Sequence, residues 1–348
     1  MSPAAGGLLL VAGLGGLGCA HGEPFRPEAA DSLGPAALAL PRRLTFNVGD
    51  DRSPAWNGTD LTFSRYDPAH ETGARCLAAL PPEGGTLRVT WCPPPPTPRD
   101  TFIGTWLEPA VADDGRSVAY VWQRGTGVSI AAWSRHLVVA AVDSPAAPRH
   151  EVPLAGALAG GGRYNAGYEL SWAGPDRVRL VAAVELVVRV TGEGTSRLTD
   201  TALLGLGLIE WDLATGVVRD VPGGDGVTAY TRASGGGWWI ARAGTVWHLD
   251  DGGVAVPRLM IGDTVSDLAE VDGRVLIARV QPIPGQGYRL ELWDPATEVT
   301  GAVVTPGPVH RLAAVGGRRF VAEVEADARE FGAPANLWLF ELPARSAR

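Results

Sequence analysis

The side chains that most often carry metal or acid–base chemistry are scattered along this sequence. No two of the six histidines have the spacing of a metal-binding motif; they are His21, His70, His136, His150, His248 and His310. The patterns of a serine nucleophile elbow, a zinc-binding helix, a phosphate-binding loop and an EF-hand calcium loop are absent from the sequence. Because His136 and His248 fall within apolar runs, packing roles are expected for them. The sequence therefore predicts no catalytic residue, no bound metal and no cofactor.

Two short motifs could bind a ligand, but each has a simpler explanation. Gly13-Leu-Gly15-Gly-Leu-Gly18 matches the glycine pattern of dinucleotide-binding folds. That pattern needs a helix that starts at the third glycine, and the Cys-Ala-His-Gly-Glu-Pro sequence that follows does not favour one. Gly49-Asp50-Asp51 has the composition of a weak calcium ligand set, but the whole of Val48–Arg52 is more typical of a turn. Neither motif predicts a binding site.

The three cysteines divide into one near the N-terminus and a pair farther along the chain. The turn Pro82–Gly85 lies midway between Cys76 and Cys92, so antiparallel strands on either side of it would place the two sulfurs opposite each other. A disulfide there would fit an oxidising compartment. The alternatives are two unpaired thiols on neighbouring strands and a zinc site, which no accompanying Cys or His cluster supports. The pattern favours a disulfide between Cys76 and Cys92.

The first eighteen residues form an uncharged, apolar and glycine-rich run. Such a run followed by small residues is typical of an export signal, although the basic start of most signals is missing. Leu17-Gly18-Cys19 resembles a bacterial lipoprotein cleavage box in which the leucine stands two residues before the cysteine instead of three. A membrane anchor is the alternative, but the run is short for a spanning helix. We therefore expect cleavage after residue 18 and lipidation of Cys19.

The next segment is rich in Pro, Ala and Gly, and we expect residues 19–41 to form a flexible tether. With a lipid on Cys19, the protein would be exported and periplasmic. It would meet the membrane only through that lipid anchor.

A hairpin pattern recurs six times in the rest of the chain. In the first copy, Asn57-Gly58 joins two β-rich runs, which is a strong signal for a two-residue hairpin turn. The copies span residues 53–66, 108–123, 169–184, 228–242, 265–280 and 309–324. A third apolar run follows each hairpin, and a fourth, more polar run follows in the first five copies only. Four antiparallel strands repeated six times predict an all-β, six-bladed β-propeller.

The strand that is missing from the sixth copy has a donor at the start of the repeats. Arg43–Asn47 alternates apolar and polar residues and precedes the first copy without a partner of its own. We expect this N-terminal strand to complete the last blade beside Asn336–Leu342, because closing the ring removes open sheet edges. Residues 42–348 would then form a single propeller domain.

Parts of the first two copies resemble a known repeat. Arg42–Thr45, Asp51–Trp56 and Leu61–Ser64 in the first copy, and Glu108–Tyr120 in the second, resemble the repeat of TolB-like β-propellers. The resemblance covers roughly residues 42–343 and is strongest in these two copies. It implies a six-bladed propeller of the bacterial cell envelope. TolB itself has a separate α/β domain ahead of its propeller, for which this chain has no room, so the resemblance implies no specific partner.

Composition narrows the classes of partner. The chain has 348 residues and is 45% hydrophobic, which is enough for a large core, and it shows no helical periodicity. Its net charge is −8, and its 30 basic residues are all arginine. An acidic surface argues against a nucleic-acid partner, because that binding depends on neutralising phosphates.

Propeller topology predicts where a ligand would bind. The loops that leave the second and the fourth strand of each blade meet at one end of the central channel, and several of them are long in this chain. Their aromatic residues and arginines have the composition of a recognition surface. The candidates are Trp106, Arg124, Arg163, Tyr164, Tyr168, Arg197, Arg329 and Phe331. Ordinary solvated loops are the alternative.

These features together favour a non-enzymatic binding or scaffolding propeller. Its ligand would be a protein or a small molecule, and it would act as a monomer or as a subunit of an envelope complex. The alternative is a metal-dependent lactone or ester hydrolase with carboxylates at the channel mouth. Three or four Asp, Glu, Asn or His side chains that converge from different blades would favour this enzyme.

Overall fold

The computed structural model describes residues 41–67, 75–92, 108–125, 133–154, 162–191, 198–279, 288–325 and 334–345. Within these ranges the protein contains six four-stranded antiparallel sheets and no helix. Consequently, the described chain has no helical segment of the length and apolarity that a membrane crossing requires. The predicted all-β, six-bladed propeller is confirmed.

The strands are numbered in chain order, and β1 (Arg42–Arg43) precedes the first complete blade. Blade 1 contains β2 (Asp50–Trp56), β3 (Leu61–Tyr66), β4 (Arg75–Leu80) and β5 (Arg88–Trp91). Blade 2 contains β6 (Pro109–Val111), β7 (Ser117–Gly125), β8 (Trp133–Ala141) and β9 (Ser144–Pro153). Blade 3 contains β10 (Gly162–Gly174), β11 (Arg177–Thr191), β12 (Leu198–Asp212) and β13 (Val218–Asp225).

The second half of the chain repeats this order. Blade 4 contains β14 (Val227–Arg232), β15 (Trp238–Arg242), β16 (Thr245–Leu249) and β17 (Ala255–Met260). Blade 5 contains β18 (Val265–Val271), β19 (Arg274–Arg279), β20 (Arg289–Asp294) and β21 (Val299–Val304). Blade 6 contains β22 (Val309–Ala314), β23 (Arg319–Glu325) and β24 (Ala335–Glu341), and β1 completes it. The inner strands β2, β6, β10, β14, β18 and β22 contact one another around the ring axis.

Turn residues explain why the first two strands of a blade pair. The Asn57 side-chain oxygen accepts the backbone N–H groups of Thr59 and Asp60 at 2.8 and 2.6 Å. Gly58 has a φ of 90°, which residues with a side chain rarely adopt. In blade 2, a Cβ added to Gly115 would lie only 3.0 Å from the carbonyl oxygen of Asn57. The turns of blades 1 and 2 therefore pack closely against each other.

A separate hydrophobic core lies between each pair of neighbouring blades. Between blades 2 and 3, Trp211 is 2% exposed and packs with Leu137 and Trp172. Between blades 4 and 5, Trp293 stands edge-on to Trp239, with ring centroids 5.2 Å apart. Burying one such side chain stabilises the fold by about 3 kcal/mol. Each blade is therefore held mainly by its two neighbours.

The N-terminal strand closes the ring, as the sequence predicts, but its regular part is short. Arg42 and Arg43 pair with Leu339 and Trp338 of β24. Beyond them, the backbone N–H groups of Leu44 and Thr45 donate to the Leu337 carbonyl oxygen, and the Thr45 hydroxyl accepts the Leu337 N–H at 3.0 Å. Closer to β2, the backbone N–H of Asn47 donates to the side chain of Asn336 at 3.0 Å. Side-chain hydrogen bonds thus replace much of the expected strand pairing of Arg43–Asn47.

Two predicted irregular regions are strands instead. Asp50–Arg52, expected to form a turn, begins β2, because its carboxylates find arginine partners on neighbouring strands. In blade 3, the strands β10, β11 and β12 extend into segments that were expected to form long loops. The register of β11 with β12 runs from Arg177 opposite Asp212 to Thr191 opposite Leu198. The β-branched residues of this stretch favour continued pairing, so blade 3 has longer strands than the other blades.

Candidate functional site

A cavity of about 360 Å³ lies at the ring axis and is lined by residues from all six inner strands. All inner strands run in the same direction, so their turns to the second strand share one face, which we call the turn face. The lining includes Trp56, Trp172 and Ala314, which lie near the ends of their inner strands. This axial cavity therefore lies on the side of the turn face, opposite the face of the predicted ligand loops.

Three carboxylates point to the axis from different blades and join those blades together. Glu108 accepts the backbone N–H of Glu169 at 2.7 Å, which links blade 2 to blade 3. Glu169 accepts the N–H of Tyr230 at 3.3 Å, which links blade 3 to blade 4. Asp267 accepts the N–H of Leu312 at 2.6 Å, which links blade 5 to blade 6. We call Glu108, Glu169 and Asp267 the axial carboxylates.

Local backbone shape makes some of these links possible. Glu169 has a φ of 55° and Ser53 a φ of 54°, both in the left-handed region that side chains disfavour. At each position the pairing register shifts, so an extra residue bulges from the inner strand. The N–H of Ser53 donates to Glu323 of blade 6 at 2.8 Å, just as that of Glu169 donates to Glu108. The bulges thus direct backbone N–H groups toward the preceding blade.

A single arginine lies among the axial carboxylates. Arg311 of β22 donates from Nη1 to Glu169 at 3.1 Å, and its Nη2 lies 3.6 Å from Glu108. Nη1 also donates to the carbonyl oxygen of Ser266 at 3.1 Å. Burial alone would lower the pKa of Arg311, but the surrounding carboxylates raise it above that of a free guanidinium. Arg311 therefore remains a cation and connects blades 2, 3, 5 and 6.

The axial carboxylates outnumber this cation, and the pKa values of Glu169 and Asp267 are raised. Burial raises the pKa of Glu169 well above its usual range, and Asp267 and Glu108 add to the rise, which Arg311 only partly offsets. Burial also raises the pKa of Asp267 to about 7, although Arg311 and two backbone N–H groups act in the opposite direction. Protons bound at these carboxylates therefore help to neutralise the centre of the ring.

The axial carboxylates do not fit a divalent metal ion. A fixed guanidinium stands between Glu108 and Glu169, where it would repel a second cation. Both oxygens of Asp267 already accept backbone N–H groups, from Leu268 and Leu312. In the described part of the chain, no group of three or more His, Cys, Asp or Glu residues is arranged to hold a metal.

A second set of ion pairs joins blade 6 to blade 1. Arg52 lies 3.0 Å from Glu323 and 2.7 Å from Asp50, and Asp50 also pairs with Arg75. Burial would raise the pKa of Asp50, but Arg75 and Arg52 hold it below its usual value. Asp51 is fully buried and lies 3.1 Å from Arg65. These contacts explain why the Asp50-Asp51 pair forms neither a turn nor a calcium ligand.

The structure places the predicted site residues in several different settings. Cys76 and Cys92 are joined by a disulfide across the β4–β5 hairpin. Arg124 lies near the end of β7, and Arg163, Tyr164 and Tyr168 lie within β10, so all four are strand residues and not the predicted loop residues. The remaining candidates fall outside the described residues: Cys19, Trp106, Arg197, Arg329 and Phe331.

The sequence analysis did not identify the axial carboxylates. The repeat alignment set Glu169 against Thr228, Val265 and Val309, whereas the hydrogen bonds make Asp267 its counterpart in blade 5. Shifting the later copies by two residues would have placed Glu108, Glu169, Asp267 and Arg311 in one column. Charged residues at the same position of four repeat copies are the signal from which this site could have been predicted.

No protein-family model matches the chain, and no curated protein matches its sequence. Among solved structures, the chain is similar to a gluconolactonase of Xanthomonas campestris, with 14% identity, a TM-score of 0.53, and 89% of this chain and 96% of that chain covered. The β-propeller domain of the trilobed protease of Pyrococcus furiosus is 11% identical, with coverage of 84% and 79% and a TM-score of 0.44. An oligogalacturonate lyase in complex with manganese is 10% identical, with coverage of 86% and 92% and a TM-score of 0.47. At these identities the similarity concerns the fold alone.

Proposed function

We propose that this chain is a non-enzymatic binding or scaffolding propeller of the bacterial cell envelope, with a TolB-like repeat. The observation that carries the proposal is the role of the axial carboxylates. Glu108, Glu169 and Asp267 each hold a backbone N–H of the next blade, and Arg311 stands among them. The charged groups that a hydrolase would need at the axis are therefore committed to joining blades. The faces and cavities of the propeller remain for binding a protein or a small molecule.

The metal-dependent hydrolase remains the alternative, but convergence of carboxylates alone does not favour it. The expected convergence from several blades is present, yet it surrounds a guanidinium. A lactone or ester hydrolase centre would have to use other residues.

A direct assay separates the two functions. The purified full chain is incubated with aliphatic lactones and aryl esters, with and without Ca²⁺, Mn²⁺ or Zn²⁺. We expect the rate in every case to equal the rate in buffer. A metal-dependent rate above that level would overturn the non-enzymatic proposal.

The envelope location is supported by two features of the chain. The first is the apolar run that ends at Cys19, which resembles a lipoprotein signal. The second is the Cys76–Cys92 disulfide, since such bonds persist in oxidising compartments. We propose an exported, periplasmic protein that is anchored by lipid at Cys19 and acts as a monomer or as a subunit of an envelope complex.

Detergent partitioning tests the anchor. In a bacterium that processes lipoproteins, the wild-type chain is expected in the detergent phase of Triton X-114 and to incorporate labelled palmitate. Cys19→Ser should move to the aqueous phase or stay unprocessed, and it should take up no label. Cys76→Ser/Cys92→Ser, which keeps Cys19, is the matched control and should partition like wild type. Identical partitioning of Cys19→Ser and wild type would contradict the anchor.

A further inference from the structure

A second cavity, of about 560 Å³, lies between blades 1 and 2 on the turn face. The β2–β3 turn and the β6–β7 turn line it, together with residues of the outer strands β5 and β9. We call it the interblade cleft. It shares no lining residue with the axial cavity. The two cavities are therefore independent sites.

Small side chains explain why the cleft stays open. The core between blades 1 and 2 is filled by large residues such as Leu77, Tyr120 and Val138. Toward the turn face, the lining includes Ala79 of blade 1 and Ala141 of blade 2, whose side chains are small. Together with Leu77, they give the cleft an apolar floor.

The rim of the cleft carries three arginines from three different elements. They are Arg88 of β5, Arg116 of the β6–β7 turn and Arg149 of β9. Two acids also line the cleft, and one of them, Asp60, pairs with Arg88. With Asp143 as the second acid, the lining has one more positive than negative charge, in a chain whose net charge is −8.

Within the part of the chain that the structure describes, two of these arginines have no ion pair. Arg116 and Arg149 are exposed, and within the described ranges neither side chain has a hydrogen-bond or carboxylate partner. Elsewhere, arginines such as Arg52 and Arg279 pair with carboxylates. The cleft therefore offers guanidinium groups whose donors are free to bind a ligand.

We propose that the interblade cleft binds a small organic anion that has an apolar body and a carboxylate or phosphate head group. Guanidinium groups bind both head groups through paired hydrogen bonds. An apolar floor with a few polar groups at the rim is the usual composition of a small-molecule site, and the volume suits a molecule of that size. The proposal does not depend on the envelope location or on the axial carboxylates.

Fluorescence titration with 1-anilinonaphthalene-8-sulfonate tests this chemistry, because the dye joins an apolar body to an anionic group. N-Phenyl-1-naphthylamine, which lacks the sulfonate, is the uncharged comparison. We expect the anionic dye to bind more tightly to the wild-type chain, and its affinity to fall as salt is raised. Equal affinity for the two dyes would overturn the proposal.

Matched variants locate the binding. Arg116→Gln/Arg149→Gln should lower the affinity for the anionic dye by about tenfold, because two charge-assisted contacts at a partly exposed rim are lost. Arg42→Gln/Arg258→Gln removes the same charge from exposed arginines that line neither cavity and should leave the affinity unchanged. Equal losses in the two double variants would show a general charge effect and refute the site.

A blocking variant and competitors complete the test. Thr90 is an exposed residue of β5 that lines the cleft, so Thr90→Phe should occupy the space without unfolding the blade. We expect it to abolish dye binding, while near-ultraviolet circular dichroism stays like that of wild type. Displacement by hexyl phosphate or by hexanoate identifies the preferred head group. If neither displaces the dye, or if Thr90→Phe binds it normally, the proposal is wrong.

Discussion

Replacing Arg311 by methionine tests whether the charged centre of the ring is structural. The change keeps a long side chain but removes the cation that lies 3.1 Å from Glu169 and 3.6 Å from Glu108. Removing one partner of a buried ion pair typically costs about 3–5 kcal/mol, because the other partner is left without compensation. For a chain of this size such a loss lowers the melting temperature by roughly 4–7 °C.

The pH dependence of this loss distinguishes electrostatics from packing. The folded-state pKa of Glu169 is already raised, and that of Asp267 is about 7. Without Arg311 both values rise further, so the carboxylates bind protons more strongly in the folded state than in the unfolded state. Their unfavourable charge is absent at low pH and appears as the pH rises through the folded-state pKa values. The loss should therefore be smaller at pH 5 than at pH 8.

Urea unfolding of both proteins at pH 5 and pH 8 measures this effect. Arg318→Met is the matched control, because Arg318 pairs with Glu341 at the surface and such pairs contribute about 0–1 kcal/mol. The electrostatic account would be refuted if Arg311→Met lowered the free energy of unfolding at pH 8 by no more than Arg318→Met does. A larger loss for Arg311→Met at pH 5 than at pH 8 would refute it as well.

Three further predictions concern other parts of the ring. Because the pKa of Asp267 is raised in the folded state, the free energy of unfolding should fall by up to roughly 4 kcal/mol as the pH increases from about 4 to 7. Asp267→Asn should flatten this pH dependence in urea titrations, and an unchanged slope would contradict the prediction. Deleting residues 20–41 should leave the melting temperature unchanged. Deleting residues 20–47 should lower the melting temperature and promote aggregation, because it uncovers β24. Equal melting temperatures of the two deletion variants would disprove closure by β1. Removing the Cys76–Cys92 disulfide should cost about 3 kcal/mol, as expected for a loop of 16 residues, and reduction of the wild-type protein should have the same effect.

Much of the fold was predictable because its signals are local. Asn57-Gly58 and Asp114-Gly115 mark turns whose backbone geometry few other pairs adopt. Even the long-range pairing of β1 with β24 followed from counting strands, since the last copy lacked one. The length of the strands in blade 3 was not predicted, because residues beyond the repeat have no counterpart in the other copies.

The candidate site was less predictable, because its interactions join residues far apart in the chain. Gly49-Asp50-Asp51 has the composition of a turn. The two acids can lie in a buried strand only because Arg65 and Arg75 of neighbouring strands form ion pairs with them. The axial carboxylates were missed because the later copies were aligned two residues out of register, which put Glu169 and Asp267 in different columns.

Closure by the first strand also sets the order in which the ring can be completed during synthesis. Most strands of blades 1 to 5 pair with a strand that is close in sequence, so these blades can form soon after they are made. Arg42 and Arg43 are made almost 300 residues before their partners Trp338 and Leu339. The segment that contains them must therefore stay unpaired until blade 6 has been made. A chain that stalls before blade 6 would keep two open sheet edges, and such unfinished molecules are the ones that a cell's proteases should remove first.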